Sequence, residues 1–283
     1  MKLCTSTTRP KAPNIGDAFL ETDTDSIIIW NGLVWRRIAK TSEEFSTLSA
    51  SFDGTDDYLD LGTSSAYSII SGGSISYWIY PSFTTSQYTE SVGKRSTAGW
   101  QITHTLTGGN MAIQPLNHTF DGGNCRVDVS VANQWYLITL VFHASGGATL
   151  YLNDGASGAS GTGETSSKPS YSFTEDASAP LYIARHPTVL SRCFTGNVDE
   201  FAIFNSELSA SDVTAIYNSG VPADLSSLSP VGWYRLGDGT GDTDSGGGAP
   251  ASGDTIGTVV NQGSGGNNAT ATNGPTYSST VPS

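Results

Sequence analysis

The chain reads as all-β: a two-sheet antiparallel jelly-roll sandwich with a small N-terminal β-hairpin arm and one short helix. Three observations predict this. Short alternating apolar segments recur from about residue 49 with turn residues between them, the spacing an all-β sandwich requires. Only 14% of residues are charged, and Gly, Ser and Thr take the vacant places, as many tight turns demand. One segment has a helical pattern. Ser209 with Asp212 forms a capping box, Ala210, Val213, Ile216 and Tyr217 give a short apolar stripe, and Gly220 is the expected stop. At 283 residues the chain can bury a sizeable core.

Residues 1–40 form the arm. Ala18-Phe19-Leu20-Glu21 and Ser26-Ile27-Ile28-Ile29-Trp30 are candidate strands, and Leu33-Val34-Trp35-Arg36-Arg37-Ile38 is the return strand. Asn31-Gly32 between them is a two-residue hairpin signal, because both positions tolerate the positive φ of a type I′ turn. A meander of this size has too little core to stand alone. It should pack on the main domain, on another copy of the chain or on a partner, and Ile27, Ile29, Trp30, Val34 and Trp35 mark the apolar surface that would do so.

The main domain, residues 41–283, follows in order. Ser51 to Leu61 is two short strands around an acidic turn, and Ser74 to Ser82 alternates and stops at Pro81. Strands are expected near Ser91–Arg95, Gly99–Thr105, Met111–Pro115 and Arg126–Val131. Tyr136 to His143 is the most apolar, hence central. Thr149 to Gly155 ends in a turn, and Leu181 to Arg185 precedes Gly196–Asn205. That last strand should place Val198, Glu200, Ala202 and Phe204 on one face, with Asp199, Phe201 and Ile203 on the other. Asp154–Pro169 and Gly237–Gly257 are polar and low in complexity, so both read as surface loops.

The order Gly196-Asn197-Val198-Asp199-Glu200-Phe201-Ala202-Ile203-Phe204-Asn205, polar break, capped helix resembles the closing segment of laminin G-like (LamG) domains. These have the concanavalin A-like sandwich. Strand by strand the resemblance spans roughly residues 49–220, and it implies that Val231–Leu236 and Asn267–Tyr277, a pairing that opens many LamG-like domains, complete the sandwich from the other end here, residues 222–283 supplying closing strands. The arm pattern Arg9-Pro10, Pro13, Gly16-Asp17-Ala18-Phe19, Thr22-Asp23-Thr24, Trp30-Asn31-Gly32, Trp35 resembles a short module common in structural proteins of tailed bacteriophages.

Composition excludes several functions. The 13 basic and 26 acidic residues give a net charge of −13, which disfavours nucleic-acid binding, an interaction driven by clustered Lys and Arg. The longest apolar stretch, Tyr136–Phe142, is far short of a bilayer span, so no membrane insertion is expected. Met1 to Pro13 has no apolar run, so no secretory signal is expected there. Cys4, Cys125 and Cys193 are too few and too scattered for a zinc ribbon or a disulfide framework; a Cys125–Cys193 bridge is conceivable, and buried thiols are the default.

No catalytic layout is present in the sequence, so no catalytic residue is assigned. Glycoside hydrolysis needs two carboxylates flanking the sugar, about 5–9 Å apart. The Glu-x-Asp-x-x-Glu signature of glucanases in the resembled superfamily is missing; Asp199 and Glu200 are adjacent, and Glu43-Glu44 precede the sandwich. His104, His118, His143 and His186 lack metal-ligand spacing. No Gly-x-Ser-x-Gly elbow occurs, and Gly237–Gly241 carries Asp where a phosphate cradle would place Lys.

Calcium is the one metal the sequence supports, as a structural Ca²⁺. Asp53, Asp56, Asp57 and Asp60 cluster at one turn, and Asp238, Asp242 and Asp244 in a loop, with Asp199 and Asp254 near them in the resembled order. LamG-like and pentraxin-like relatives often carry such a site, and the candidates are Asp199, Asp238, Asp242 and Asp244. The competing reading is that these acids solubilise loops and accept backbone N–H bonds. For glycans, Tyr88, Trp100, His104 and Trp233 are candidate stacking faces, although most aromatics here alternate as core residues do.

Two functions from different classes fit. In the first, the chain is a non-enzymatic structural protein on the exterior of a tailed-phage capsid or tail. It would serve as a decoration (cement) or fibre-like domain, partnered by other virion proteins and by its own copies, with weak glycan contacts. In the second it is a dedicated carbohydrate-binding lectin, a receptor-binding tip or adhesin module.

Overall fold

The computed structural model describes residues 2–22, 26–40, 46–82, 88–107, 110–117, 125–155, 164–168 and 173–283. Glu43, Glu44 and His118 lie outside the described residues, as does the side chain of Ile27. The chain divides into two compact units, Met1–Phe45 and Ser46–Ser283.

The first unit is a four-stranded sheet in the order β1 (Lys2–Cys4), β2 (Ala18–Glu21), β3 (Ser26–Trp30), β4 (Trp35–Lys40). It is larger than a hairpin because Lys2–Cys4 adds in parallel to β2. Cys4, Phe19 and Ile28 form its small core against Trp35, whose ring meets Phe19 edge-on at 5.6 Å and Trp30 at 5.4 Å. The turn differs from the expected type I′ pair. Trp30 faces Trp35, leaving a four-residue loop, Asn31–Val34. The Asn31 Oδ1 accepts the N–H groups of Leu33 (3.0 Å) and Val34 (2.9 Å), so a side chain, not strand pairing, satisfies those donors. Leu33 and Val34 are thereby taken out of the return strand and left exposed.

The second unit is a sandwich. In chain order its strands are β5 (Ser49–Asp53), β6 (Tyr58–Asp60), β7 (Ser74–Pro81), β8 (Tyr88–Arg95), β9 (Gly99–Thr107), β10 (Asn110–Asn117), β11 (Val127–Val129), β12 (Tyr136–Phe142) and β13 (Ala148–Leu152). They continue as β14 (Glu164–Lys168), β15 (Leu181–Ile183), β16 (Thr195–Phe204), β17 (Gly232–Tyr234), β18 (Thr243–Asp244), β19 (Ile256–Val259), β20 (Ala269–Thr272) and β21 (Thr276–Ser278). One sheet has the order β11-β10-β9-β8-β15-β6-β20-β19-β18; the other has β14-β13-β12-β7-β16-β5-β21, with β17 on β16. The last 60-odd residues thus enter both sheets, β20 pairing with β6 and β21 with β5. β14 falls inside the low-complexity stretch read as a loop, where it pairs antiparallel with β13 at the sheet edge and Ser167 Oγ meets Thr149 Oγ1 at 2.8 Å. β18 and β19 likewise fall within or beside the second such stretch.

Between the sheets lie Ile75, Tyr77, Ile138 and Leu140 from one and Val92, Trp100, Ile102 and Ile183 from the other. β12 is buried along its whole length because its second face, through Leu137 and Val141, packs under the helix α1 (Ala210–Tyr217). That helix carries the expected capping box: Asp212 N–H donates to Ser209 Oγ at 3.2 Å, and Ser209 N–H to Asp212 Oδ2 at 2.8 Å. Val213 and Ile216 bury against Trp78 and Phe204, and Tyr217 stacks on Trp78 at 5.7 Å. It stops at Asn218 in the left-handed region (φ 43), two residues before Gly220. All three cysteines are buried, and none of them is bridged in a disulfide.

The strict alternation expected along residues 198–204 does not hold. A bulge between Asp199 and Ala202, with Glu200 at φ 46, inserts an extra residue and reverses the phase. Val198 therefore shares the inter-sheet core with Phe201 and Ile203, while Ala202 and Phe204 face the helix.

Candidate functional site

The outer face of the nine-stranded sheet gathers the side chains best placed to meet a ligand. On β6 and β15, Leu59, Leu181 and Ile183 point into the core, so Tyr58, Asp60 and Tyr182 point outward. Tyr182 pairs with Asp60 on one side and Gly93 of β8 on the other. Tyr58 and Tyr182 meet edge-on at 5.3 Å. After β15 the chain turns at Ala184 (φ 70) and returns across this face before β16, clasped by an isolated bridge between Arg185 and Cys193. Gly93 permits the crossing, since a Cβ there would stand 2.7 Å from Pro187. The crossing segment lays Arg185 over Tyr58, 4.3 Å from the ring centroid, and within 5.5 Å of Tyr182. Farther along, Arg192 lies over Tyr88, also at 4.3 Å. Each is cation–π geometry that fixes a guanidinium plane.

Beneath that segment is a buried polar cluster. Glu90 of β8 is fully buried; its Oε1 accepts from Gln101 Nε2 at 3.3 Å, with Arg192 at 3.9 Å and His186 Nε2 at 3.7 Å. Its Oε2 has no partner among the described residues. Burial pushes the carboxyl up to about 8, outweighing the pull of Arg192 and Arg95, so the group is largely protonated at neutral pH. His186 Nδ1 accepts the N–H groups of Thr188 (2.9 Å) and Val189 (2.8 Å), which leaves the proton on Nε2. Burial and the two arginines hold this imidazole down at about 4.

The acids read as calcium candidates are placed differently. Asp238 accepts from Thr47 N–H (2.8 Å), Leu48 N–H (3.0 Å), Ser46 Oγ (3.1 Å) and the Thr47 hydroxyl. Asp242 accepts from Gly237, Gly239 and Val260, and Asp244 from Gly246 and Gly248, all through backbone N–H groups. Asp199 is buried, and burial together with neighbouring Glu200 raises its carboxyl well above the ordinary range. Glu200 is turned by the bulge to accept from Trp233 Nε1 (2.6 Å) and Arg235 Nε (2.9 Å). Among the described residues, one group of three or more acids, histidines or cysteines brings its ligand atoms within 4.8 Å of one another: Asp53, Asp56 and Asp57, on the turn between β5 and β6.

The aromatic candidates also separate. Trp100 and His104 are core residues, His104 bonded to Ser91 Oγ at 2.8 Å and held down by burial at about 3. Trp233 is tied to Glu200 and Arg235. Tyr88 is the candidate that lies on the outer face. A cavity bordered by His104, Phe194 and Met111 has a volume of about 10 Å³, room for one water and no sugar. In the first unit, Ile29, Trp30 and Trp35 are partly buried and Val34 is exposed. Tyr58, Tyr182, Arg185 and Glu90 were not singled out from the sequence. The alternation of Tyr58-Leu59-Asp60 and Leu181-Tyr182-Ile183 carries a signal for the tyrosines; nothing local places Arg185 upon them.

The chain belongs to the Concanavalin A-like lectin/glucanases superfamily, whose model matches residues 53–214. No curated protein matches it. Among solved structures, a "putative carbohydrate binding protein" from Bacteroides ovatus ATCC 8483 is 13% identical, with a TM-score of 0.57 over 96% of this chain and 72% of that one. It shares the fold. The native heptameric SAP-like pentraxin of Limulus polyphemus is 11% identical, at TM-score 0.48 over 62% and 84% of the two chains. Domain 4 of AbnA, a GH43 extracellular arabinanase of Geobacillus stearothermophilus solved with arabinotriose, is 18% identical, at TM-score 0.40 over 59% and 74%.

Proposed function

We propose that the chain is a non-enzymatic display protein whose sandwich makes glycan contacts across the outer face of the nine-stranded sheet and whose first unit attaches it to a larger assembly. The tyrosine-lined face supports this reading: Tyr58, Tyr182 and Tyr88 are half-buried among polar neighbours, and sugars would meet the ring surface that Arg185 and Arg192 leave uncovered. Asp199 and Glu200 are buried, Asp199 Oδ1 accepting the Glu200 N–H and Glu200 accepting from Trp233 and Arg235, so neither carboxylate faces a substrate. For attachment, Ile15 (79% exposed), Leu33 (84%), Leu3 (66%) and Val34 (52%) give this small unit four exposed large apolar side chains.

The assembly we propose is a tailed-phage particle, the protein standing on the exterior of capsid or tail; the resemblance of residues 9–35 to the phage module supports it. Mass spectrometry and antibody labelling of intact particles test this, and a gene product missing from them removes it. The second reading, a dedicated lectin or receptor-binding module, is favoured by the same tyrosine face. A glycan array with micromolar, calcium-dependent hits would shift the conclusion there. A structural Ca²⁺ also belongs to the proposal. Asp53 and Asp57 accept backbone N–H groups just as Asp238, Asp242 and Asp244 do, but among the described residues the turn Asp53, Asp56, Asp57 alone brings three carboxylates within 4.8 Å of one another, so it suits the ion better. EDTA should then lower the melting temperature of the native chain and leave Asp56→Asn unaffected; an unchanged melting temperature in the native chain removes the site.

A further inference from the structure

We propose that the outer sheet face takes a carboxylate-bearing saccharide, a uronate, with Arg185 as its anchor; this rests on the glycan reading of the same face. The observation is an arginine without an acceptor. Arg185 lies on Tyr58 and spans toward Tyr182, yet among the described residues it makes neither a hydrogen bond nor an ion pair, and its buried Nε has no partner. A guanidinium has five N–H donors in a rigid fork, and buried donors in folded proteins are nearly always paired. A held plane with vacant donors matches a planar anion that accepts two parallel bonds.

The charge distribution points the same way. Residues 46–283 hold seven Lys and Arg against 20 Asp and Glu, five of the seven being arginines. Three of those five, Arg95, Arg185 and Arg192, belong to this one face and the segment crossing it. Glu90, the acid nearest Arg192 at 3.9 Å, is held largely protonated at neutral pH and so leaves that cation incompletely balanced. Asp60 stands on the same face beside Tyr182, and Asp53, Asp56 and Asp57 lie on the neighbouring turn; none of the four forms an ion pair with Arg185. Sugar rings would stack on the part of the half-buried Tyr58 and Tyr182 that Arg185 leaves uncovered, and the C6 carboxylate would bridge to Arg185. A neutral sugar would leave the fork unfilled.

Calorimetric titration of the full chain with tetragalacturonate and tetramannuronate, each beside its methyl ester, tests the inference. At least one acid should bind, and its ester should bind at least tenfold more weakly. Arg185→Gln should cost at least tenfold. Arg185→Lys, which keeps the charge and loses the planar fork, should cost several-fold with the melting temperature preserved, so it decides the matter if the glutamine variant fails to fold. Arg126→Gln, a surface arginine paired with Asp128, should bind as the native chain does. Equal affinity for acid and ester overturns the uronate and leaves the glycan reading standing. Binding to neither acid, or binding indifferent to Arg185→Lys, overturns it as well. Failure on a full array of neutral and acidic glycans would remove the glycan reading itself.

Discussion

Glu90 carries a pH dependence that one side chain can account for. Its carboxyl sits at about 8 in the folded chain against an ordinary 4.5, because burial favours the neutral acid. Between those values the folded chain holds one more proton than the unfolded chain, so this contribution is full below 4.5 and lost as pH rises toward 8. His186, at about 4, and His104, at about 3, act with the opposite sign, but below their ordinary 6.5. From pH 6.5 to 8 the carboxyl therefore wins, and unfolding stability should fall by about 2 kcal/mol. Asp199 and Glu200, also raised by burial, push in the same direction. Chemical denaturation across that range checks it: Glu90→Gln should reduce the slope, and a flat native profile would show that Glu90 ionises normally. None of this is visible in the sequence, where Glu90 is one acid in a polar strand.

At the scale of elements, local signals and tertiary demands can be told apart. The capping box is purely local: Ser209 and Asp212 satisfy each other's backbone donors whatever lies beneath. Ser209→Ala should cost about 1 kcal/mol, lowering the melting temperature by roughly 2–4 °C in a domain of this size. Gly196 is the opposite case. It sits at φ +131 between β5 and β7, and a Cβ would fall 2.1 Å from the Tyr80 carbonyl oxygen. Gly196→Ala should cost about 3 kcal/mol, since both backbone conformation and space oppose it. A melting temperature within 1 °C of native would contradict that geometry. The bulge at Asp199–Ala202 also escapes local reading: strict alternation looked complete, and the extra residue is needed because Glu200 must turn toward Trp233 and Arg235, which come from β17 and its end.

Charge is divided unevenly over the whole molecule. Six of the 13 basic residues and six of the 26 acidic residues fall in the first 45, so the net −13 resides in the sandwich. A neutral unit with exposed Ile15, Leu33 and Val34 is suited to adhesion, and an acidic sandwich to staying apart from its neighbours. The double variant Leu33→Asp, Val34→Asp should leave the melting transition of the sandwich in place and reduce self-association in sedimentation, or recovery with particles, at least several-fold. Unchanged association would move the attachment surface elsewhere.

The all-β class, most strand positions and the capped helix are legible in the chain's own residue pattern. These rest on alternation, turn chemistry and capping, interactions between residues near in the chain. Tertiary structure decided the four-residue arm loop, the strand hidden in Asp154–Pro169, the phase reversal at Glu200 and the occupied carboxylates of Asp238, Asp242 and Asp244. It also decided the candidate site. Arg185 meets Tyr58 across more than a hundred residues of chain, and a cation finds a ring face by packing, which no local pattern encodes.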